Sequence, residues 1–135
     1  MSQRLRIVVA EDDERLAALV EQLLDADGRF EVVGRTADGD EVVRLVEAQA
    51  PDLVLMDIGL PGQDGLAATR AIHERDPDRH VVVYTGSVDY DDIARSDAAG
   101  AVGFLHKDAL ASPDLPEALH VLHLNYVNRL PDDEL

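Results

Sequence analysis

Cysteine is absent from this chain of 135 residues, and its absence excludes several kinds of chemistry at once. The chain can form no disulfide, no thiolate metal site and no thiol nucleophile. Long hydrophobic runs are missing as well. The apolar stretch in the opening segment MSQRLRIVVAEDD is too short for a signal peptide or a membrane span. We therefore expect a cytoplasmic protein that does not enter a membrane.

Positive charge is scarce: 12 Lys and Arg stand against 28 Asp and Glu, which gives a net charge of −16. A chain this acidic repels phosphate backbones and anionic lipids, so we expect no direct contact with nucleic acid. The charge is suited instead to binding cations or basic patches on partners. Apolar residues make up 46% of the chain, which is typical of a globular domain of ordinary size.

Internal repeats, low-complexity segments and linkers are also missing, so we predict one domain over residues 1–129 and a short acidic tail over 130–135. Five short apolar runs predict buried strands at residues 6–10, 30–34, 53–56, 81–84 and 102–105. A segment with helical spacing of apolar residues follows each of them. This alternation predicts an α/β fold, in which five helices cover both faces of a parallel five-stranded sheet.

The fourth of these helices, around residues 89–99, has the weakest apolar pattern. Ile93 is its only large aliphatic residue, and most of its other residues are acidic or small. We therefore expect this helix to dock less firmly on the sheet than the others.

Ligands of open parallel sheets bind beyond the carboxyl ends of the strands. The residues at those ends are polar: Glu11, Asp12 and Asp13 after the first strand, Asp57 after the third, Thr85 after the fourth and Lys107 after the fifth. Carboxylates gathered at one edge repel one another, and Mg²⁺, which prefers oxygen ligands, would relieve that repulsion. The five histidines form no ligand pattern along the chain, so a transition-metal site is not expected.

A carboxylate such as Asp57 can attack phosphorus and form an acyl phosphate, while a lysine and a hydroxyl stabilise the phosphoryl oxygens. Each residue also has an ordinary structural explanation. Acids cap helices or loops, a lone lysine is usually a surface charge, and threonine is common in turns. The joint placement of these residues after the first, third, fourth and fifth strands is what the separate explanations do not predict.

Four segments, in this order and spacing, resemble the receiver domain of bacterial two-component response regulators: RIVVAEDD, PDLVLMDIGLPGQDG, VVVYTG and GAVGFLHKD. The resemblance extends from about Leu5 to the last helix. It implies a doubly wound, flavodoxin-like sheet with the strand order 2-1-3-4-5. It also implies a signalling domain that catalyses its own phosphorylation, and not an enzyme that turns over a substrate.

The resemblance further implies a role for each site residue. Asp57 would be the phospho-acceptor, and Mg²⁺ would bind Glu11, Asp12, Asp57 and the backbone carbonyl of Gly59. Thr85 and Lys107 would contact the phosphoryl group. Phe104 would be the switch aromatic that responds to Thr85. Phenylalanine lacks the hydroxyl of the common tyrosine, so such a response would be steric only.

The expected partners are a histidine kinase, an output domain or partner protein, and a second copy of the chain after phosphorylation. The segments GFLHKDA and SPDLPEAL resemble those of receivers that are joined to a helix-turn-helix DNA-binding domain. This favours a piece of a longer regulator, with a stand-alone receiver as the alternative. Gly59 has no side chain that could guide or block a hydrolytic water, which leaves the lifetime of the phosphoryl group open.

Three other functions compete with this interpretation. A phosphatase of the haloacid dehalogenase type needs a second aspartate two residues after its nucleophile, where this chain has Gly59. A flavodoxin-like cofactor domain needs a glycine-rich phosphate loop after its first strand, which is missing here. A receiver-like interaction module that is never phosphorylated remains the alternative.

Overall fold

The protein is described here by a computed structural model that covers residues 4–62, 64–86 and 89–127. Strands and helices alternate as β1 (Leu5–Ala10), α1 (Glu14–Ala26), β2 (Phe30–Thr36), α2 (Gly39–Gln49), β3 (Leu53–Asp57), α3 (Gly65–Arg75), β4 (His80–Thr85), α4 (Tyr90–Ala98), β5 (Gly103–His106) and α5 (Leu115–Val127). These elements lie where the sequence predicts them. The predicted acidic tail, residues 130–135, lies outside the described residues.

All five strands form one parallel sheet in the order β2-β1-β3-β4-β5, which confirms the predicted fold and strand order. β3 is the central strand, and every one of its residues is buried. It pairs with β1 on one side and β4 on the other, so that Leu55 lies between Val9 and Val82.

Neighbouring residues of each inner strand pack against opposite layers of helices. Val54 and Met56 of β3 belong to an apolar cluster that includes α2 and α3. Leu53 and Leu55 belong to a second cluster that includes α1 and α5. Because side chains alternate across a strand, a strand covered on both faces must be apolar at every position. Burial of both faces of the inner strands therefore explains the continuous apolar runs in the sequence.

Aspartate begins four of the helices: the N-cap residues of α1 to α4 are Asp13, Asp38, Asp64 and Asp89. The Asp64 carboxylate, for example, accepts a hydrogen bond of 2.8 Å from the amide of Ala67. Each such cap satisfies amide groups that the helix leaves unpaired, and contributes about 1 kcal/mol. Asp13 therefore has the helix-capping role that is common for acids. Of the three consecutive acids after β1, it is the one that caps α1.

α4 is held more weakly than the other helices. Ser96 is its only buried side chain, whereas Tyr90 is 88% exposed and Ile93 37% exposed. α5, by contrast, buries Leu115 and Leu119 completely or nearly so. This confirms the expectation that α4 docks less firmly, and it makes α4 the helix that can move at the lowest cost.

One short element was not predicted, a 3-10 helix over Lys107–Ala111. It begins directly after β5, and the ring of His106 accepts a hydrogen bond of 3.1 Å from the amide of Asp108 at its start. Leu110 anchors it in the core. The short helix thereby fixes the backbone that follows Lys107.

None of the helices in the described part of the chain has the length and apolar character that crossing a bilayer requires.

Candidate functional site

The parallel register brings the ends of β1, β3, β4 and β5 to one edge of the sheet. Ala10 pairs with Met56, Asp57 with Tyr84, and Thr85 with His106. The residues next along the chain are therefore neighbours in space. Carboxylate oxygens of Glu11, Asp12 and Asp57 lie within 4.8 Å of one another, which brings together the acids that the sequence placed at this edge.

Asp57 is the last residue of β3, and its two carboxylate oxygens have different surroundings. Oδ1 accepts a hydrogen bond of 2.8 Å from the amide of Gly59, and Oδ2 lies 3.9 Å from Nζ of Lys107. The residue is 7% exposed. Burial raises the pKa of this carboxyl, the Gly59 amide and Lys107 oppose that rise, and the negative charge of Asp12 adds to it. The side chain is thus oriented and partly desolvated.

Glu11 is buried, and both of its carboxylate oxygens already have partners. Oε1 accepts a hydrogen bond of 2.6 Å from the hydroxyl of Tyr84, and Oε2 accepts one of 2.8 Å from the amide of Asp13. Burial raises the pKa of Glu11, and the bond from Tyr84 lowers it by a smaller amount. Asp12, in contrast, is exposed. The two neighbouring acids therefore differ in their freedom to bind an ion directly.

Tyr84 is a site residue that sequence reasoning missed. Its side chain is fully buried, and its hydroxyl donates to Glu11, with the carbonyl oxygen of Ala10 also 3.2 Å away. Burial and the nearby acids raise the pKa of this phenol well above its usual range, so it stays protonated and remains a donor. The signal in the sequence was a tyrosine inside an otherwise aliphatic strand, because a buried hydroxyl needs a partner.

Lys107 lies between the two buried acids. Its Nζ is 3.7 Å from Oε2 of Glu11 and 3.9 Å from Oδ2 of Asp57. One third of the side chain is exposed, so the ammonium faces both the acids and solvent. The structure therefore rules out the reading of Lys107 as an isolated surface charge. Thr85 ends β4 at the same edge and is half-buried.

Two glycines near Asp57 differ in the space that surrounds them. A Cβ on Gly65, the first residue of α3, would lie 2.2 Å from the carbonyl oxygen of Asp57, so only glycine lets α3 begin this close to β3. A Cβ on Gly59 would lie 3.5 Å from Oδ1 of Asp57, an ordinary contact distance. There is thus room beside the Asp57 carboxylate. The predicted role of the Gly59 carbonyl as a metal ligand remains a prediction.

Phe104 lies on β5 opposite Val83 and is half-buried against the apolar cluster of α2 and α3. It is neither a fully buried core residue nor a free surface residue. Its predicted role as a switch aromatic remains a prediction.

Fold and site together define a doubly wound α/β domain with three acids and a lysine at the carboxyl edge of its sheet. The family model for the response regulator receiver domain matches residues 7–120, and the chain belongs to this family of two-component signalling domains. This confirms the resemblance of the four sequence segments to receiver domains.

Individual relatives agree with the family. The chain is 32% identical over 114 residues to the nitrate/nitrite response regulator protein NarL of Escherichia coli, a match that covers 84% of this chain and 52% of that protein. It is 40% identical over 101 residues to a protein-glutamate methylesterase/protein-glutamine glutaminase of Geobacter metallireducens, covering 73% and 29%. A solved signal receiver domain from Mycobacterium tuberculosis superposes with a TM-score of 0.84 at 26% identity, covering 95% of this chain and all of that one.

The chain spans about half or less of the length of these two curated relatives. One of them is named as a response regulator and the other as a methylesterase. The part they share with this chain is the receiver.

The Tyr84 hydroxyl should contribute measurably to folding stability. Tyr84→Phe leaves the ring in place but removes the donor to the buried Glu11 carboxylate, so we expect a loss of about 1–3 kcal/mol in the free energy of unfolding. Urea unfolding measures it. Tyr90→Phe, at an exposed tyrosine, is the matched control and should change stability by less than about 0.5 kcal/mol. Equal effects of the two substitutions would refute the role of Tyr84.

The raised pKa of Asp57 predicts a pH-dependent effect of Asp57→Asn. A raised pKa in the folded state means that the folded protein binds this proton more tightly than the unfolded chain. The stability that comes from this tighter proton binding is fully present below the pKa of Asp57 in the unfolded chain. It is lost as the pH rises through the pKa of Asp57 in the folded protein. Without divalent metal, Asp57→Asn should therefore stabilise the protein at pH 7, and this gain should shrink towards pH 4.

Urea unfolding of both proteins across this pH range, with a chelator present, tests the prediction. Asp25→Asn, at an exposed position of α1, makes the same change of charge outside the site. A gain for Asp57→Asn that grows as the pH falls would contradict the assigned direction of the pKa shift.

Proposed function

We propose that this chain is a working phospho-acceptor: Asp57 receives a phosphoryl group from the phosphohistidine of a histidine kinase. An oxygen of Asp57 forms the new bond to phosphorus as the bond from phosphorus to the histidine nitrogen breaks. The observation that carries the proposal is the orientation of Asp57, with Oδ1 held by the Gly59 amide and Oδ2 directed towards Lys107. A loop cap alone would need only the first of these contacts.

The donor set at this edge fits Mg²⁺. It consists of carboxylate oxygens from three acids within 4.8 Å of one another, and Mg²⁺ prefers oxygen ligands and one or two carboxylates. Asp12, Asp57 and the Gly59 carbonyl would hold the ion directly. Glu11 would act through water, because both of its oxygens accept hydrogen bonds from the protein. When bound, the ion would screen the charge between the acids and an incoming phosphoryl group.

The protein's own residues perform the remaining steps. Asp57, partly desolvated on a rigid strand, is the nucleophile. Lys107, whose Nζ lies beside Oδ2 of Asp57, stabilises the negative phosphoryl oxygens, and the Thr85 hydroxyl donates a hydrogen bond to them. Tyr84 holds Glu11 in position, and so acts on the site only indirectly. The result is a signalling reaction on the chain itself, in the cytoplasm, with no substrate turned over.

The signal would leave through the surface formed by α4, β5 and α5. Drawing Thr85 towards the phosphoryl group opens space on β4 next to β5, and Phe104 on β5 fills that space. α4 follows because it buries only Ser96. The change is a shift between two populations of the domain, driven by a local change of charge. An output domain, a partner protein or a second copy of the chain would read this surface.

Phosphorylation is tested by the intact mass of the protein after incubation with acetyl phosphate. We expect one Mg²⁺-dependent phosphoryl adduct on the wild type and none on Asp57→Asn. Asp64→Asn is the matched control, because it changes a carboxylate in the same loop and asparagine caps a helix equally well. It should keep the adduct.

An adduct that persists in Asp57→Asn would refute the assignment of the acceptor. Absence of an adduct from acetyl phosphate and also from a phosphorylated kinase would favour the alternative function, an interaction module that is never phosphorylated.

The coupling between acceptor and surface is tested by Thr85→Ala. We expect this variant to accept the phosphoryl group but to lose most of the change in amide hydrogen exchange that phosphorylation causes in α4 and β5. Thr85→Ser keeps the hydroxyl and should retain that change. If Thr85→Ala is phosphorylated normally and shows the full change in exchange, the proposed coupling through Thr85 is wrong.

A further inference from the structure

Two histidines meet at the edge of the sheet opposite to the acidic site. His80 is the first residue of β4, and His123 lies in α5, 43 residues further along the chain. Their Nδ1 atoms are 2.9 Å apart, with ring centroids separated by 4.8 Å and ring planes inclined at 60°. This separation in sequence explains why no ligand pattern was visible among the histidines.

The contact between the rings has a definite chemical meaning. A hydrogen bond between two Nδ1 atoms requires a proton on one of them and a lone pair on the other. Both nitrogens are therefore directed at the same point in space. A species that replaces the shared proton would lie next to the lone pairs of both nitrogens.

The spacing is close to what one metal ion needs. In a tetrahedral zinc site with Zn–N bonds of about 2.0–2.1 Å, two ligand nitrogens lie about 3.3–3.4 Å apart. The two rings would have to separate by about 0.4 Å from the observed 2.9 Å. His123 is only half-buried, and a change of its side-chain torsion angles would supply this separation.

The surroundings of the pair provide negative charge. A cavity of about 210 Å³ beside the pair is lined by both histidines and by Asp52, Asp76 and Asp78. Burial lowers the pKa of both imidazoles, and the charges of Asp52 and Asp78 only partly offset this for His80. The rings are therefore neutral near pH 7, which is the form that binds metal. Arg79 also lines the cavity, but its guanidinium is engaged with the Pro51 carbonyl and Asp76.

We propose that His80 and His123 bind one divalent transition-metal ion, with Zn²⁺ as the reference case, that water completes its ligands, and that the carboxylates lining the cavity balance its charge. Imidazole nitrogen suits Zn²⁺, Ni²⁺ and Cu²⁺, whereas the oxygen ligands at the opposite edge suit Mg²⁺. The ion would join α5 to the start of β4 and so stabilise the docking of α5. This site is independent of the proposed phosphorylation of Asp57.

The experiment is a calorimetric titration of the untagged protein with Zn²⁺, with millimolar Mg²⁺ present to occupy the acidic site. We expect one Zn²⁺ per chain, with unchanged affinity in Asp57→Asn. His123→Gln should weaken binding by about a hundredfold or more, since loss of even an outer partner of a ligand costs roughly 10- to 100-fold. His120→Gln is the matched control, at a half-buried histidine one turn earlier in α5 that bonds to Arg29.

A second measurement avoids the risk that a variant misfolds. In the wild type, imidazole NMR signals of His80 and His123 should shift on addition of one equivalent of Zn²⁺, while those of the other histidines stay in place. Three results would overturn the proposal: no stoichiometric binding in Mg²⁺, binding that survives His123→Gln, or binding that is lost in Asp57→Asn. If the two rings titrate with pH but ignore Zn²⁺, they share a proton only, and the proposal is wrong.

Discussion

Three carboxylates held within 4.8 Å of one another against their mutual repulsion are the constraint on which the rest of the structure depends. The protein offsets the repulsion with Lys107, with the hydroxyl of Tyr84 on Glu11 and with the amide of Gly59 on Asp57. These contacts orient the acids without neutralising them completely, since burial still raises the pKa of both Glu11 and Asp57. Because the negative charge of the acids is only partly compensated, the site favours binding of a cation. Attachment of a charged group would change the same balance of charges.

The two ends of the sheet differ in chemistry. The carboxyl edge gathers oxygen ligands and a lysine, whereas the amino edge brings together two imidazoles.

The last two helices differ in how firmly they are held. α5 is held at several points, by its buried leucines, by the ion pair of Arg29 with Glu117 and by the contact of His123 with His80. α4 buries a single serine. α4 is therefore held less firmly than α5.

Much of the fold was predictable because its signals are local. A strand covered on both faces must be continuously apolar, and aspartate before a helix satisfies free amides, so the pattern of strands and caps can be read from the residues. The presence of Asp57 and Lys107 at one edge followed from the rule that parallel strands end together. The sequence does not predict the roles of Tyr84 and Gly65 or the short helix at 107–111. Their roles depend on contacts with residues distant in the chain, or with backbone whose position only the folded sheet defines.

The sequence by itself determined the class of fold, the order of the polar residues along the strand ends and, through its four matching segments, the family. Periodicity and strand ends are properties of neighbouring residues, and they survive without coordinates. The tertiary structure decided that a buried tyrosine holds Glu11, that Lys107 lies beside Glu11 and Asp57, and that His80 meets His123. These are matters of distance between residues tens of positions apart, and only the packing of α5 and the sheet sets those distances.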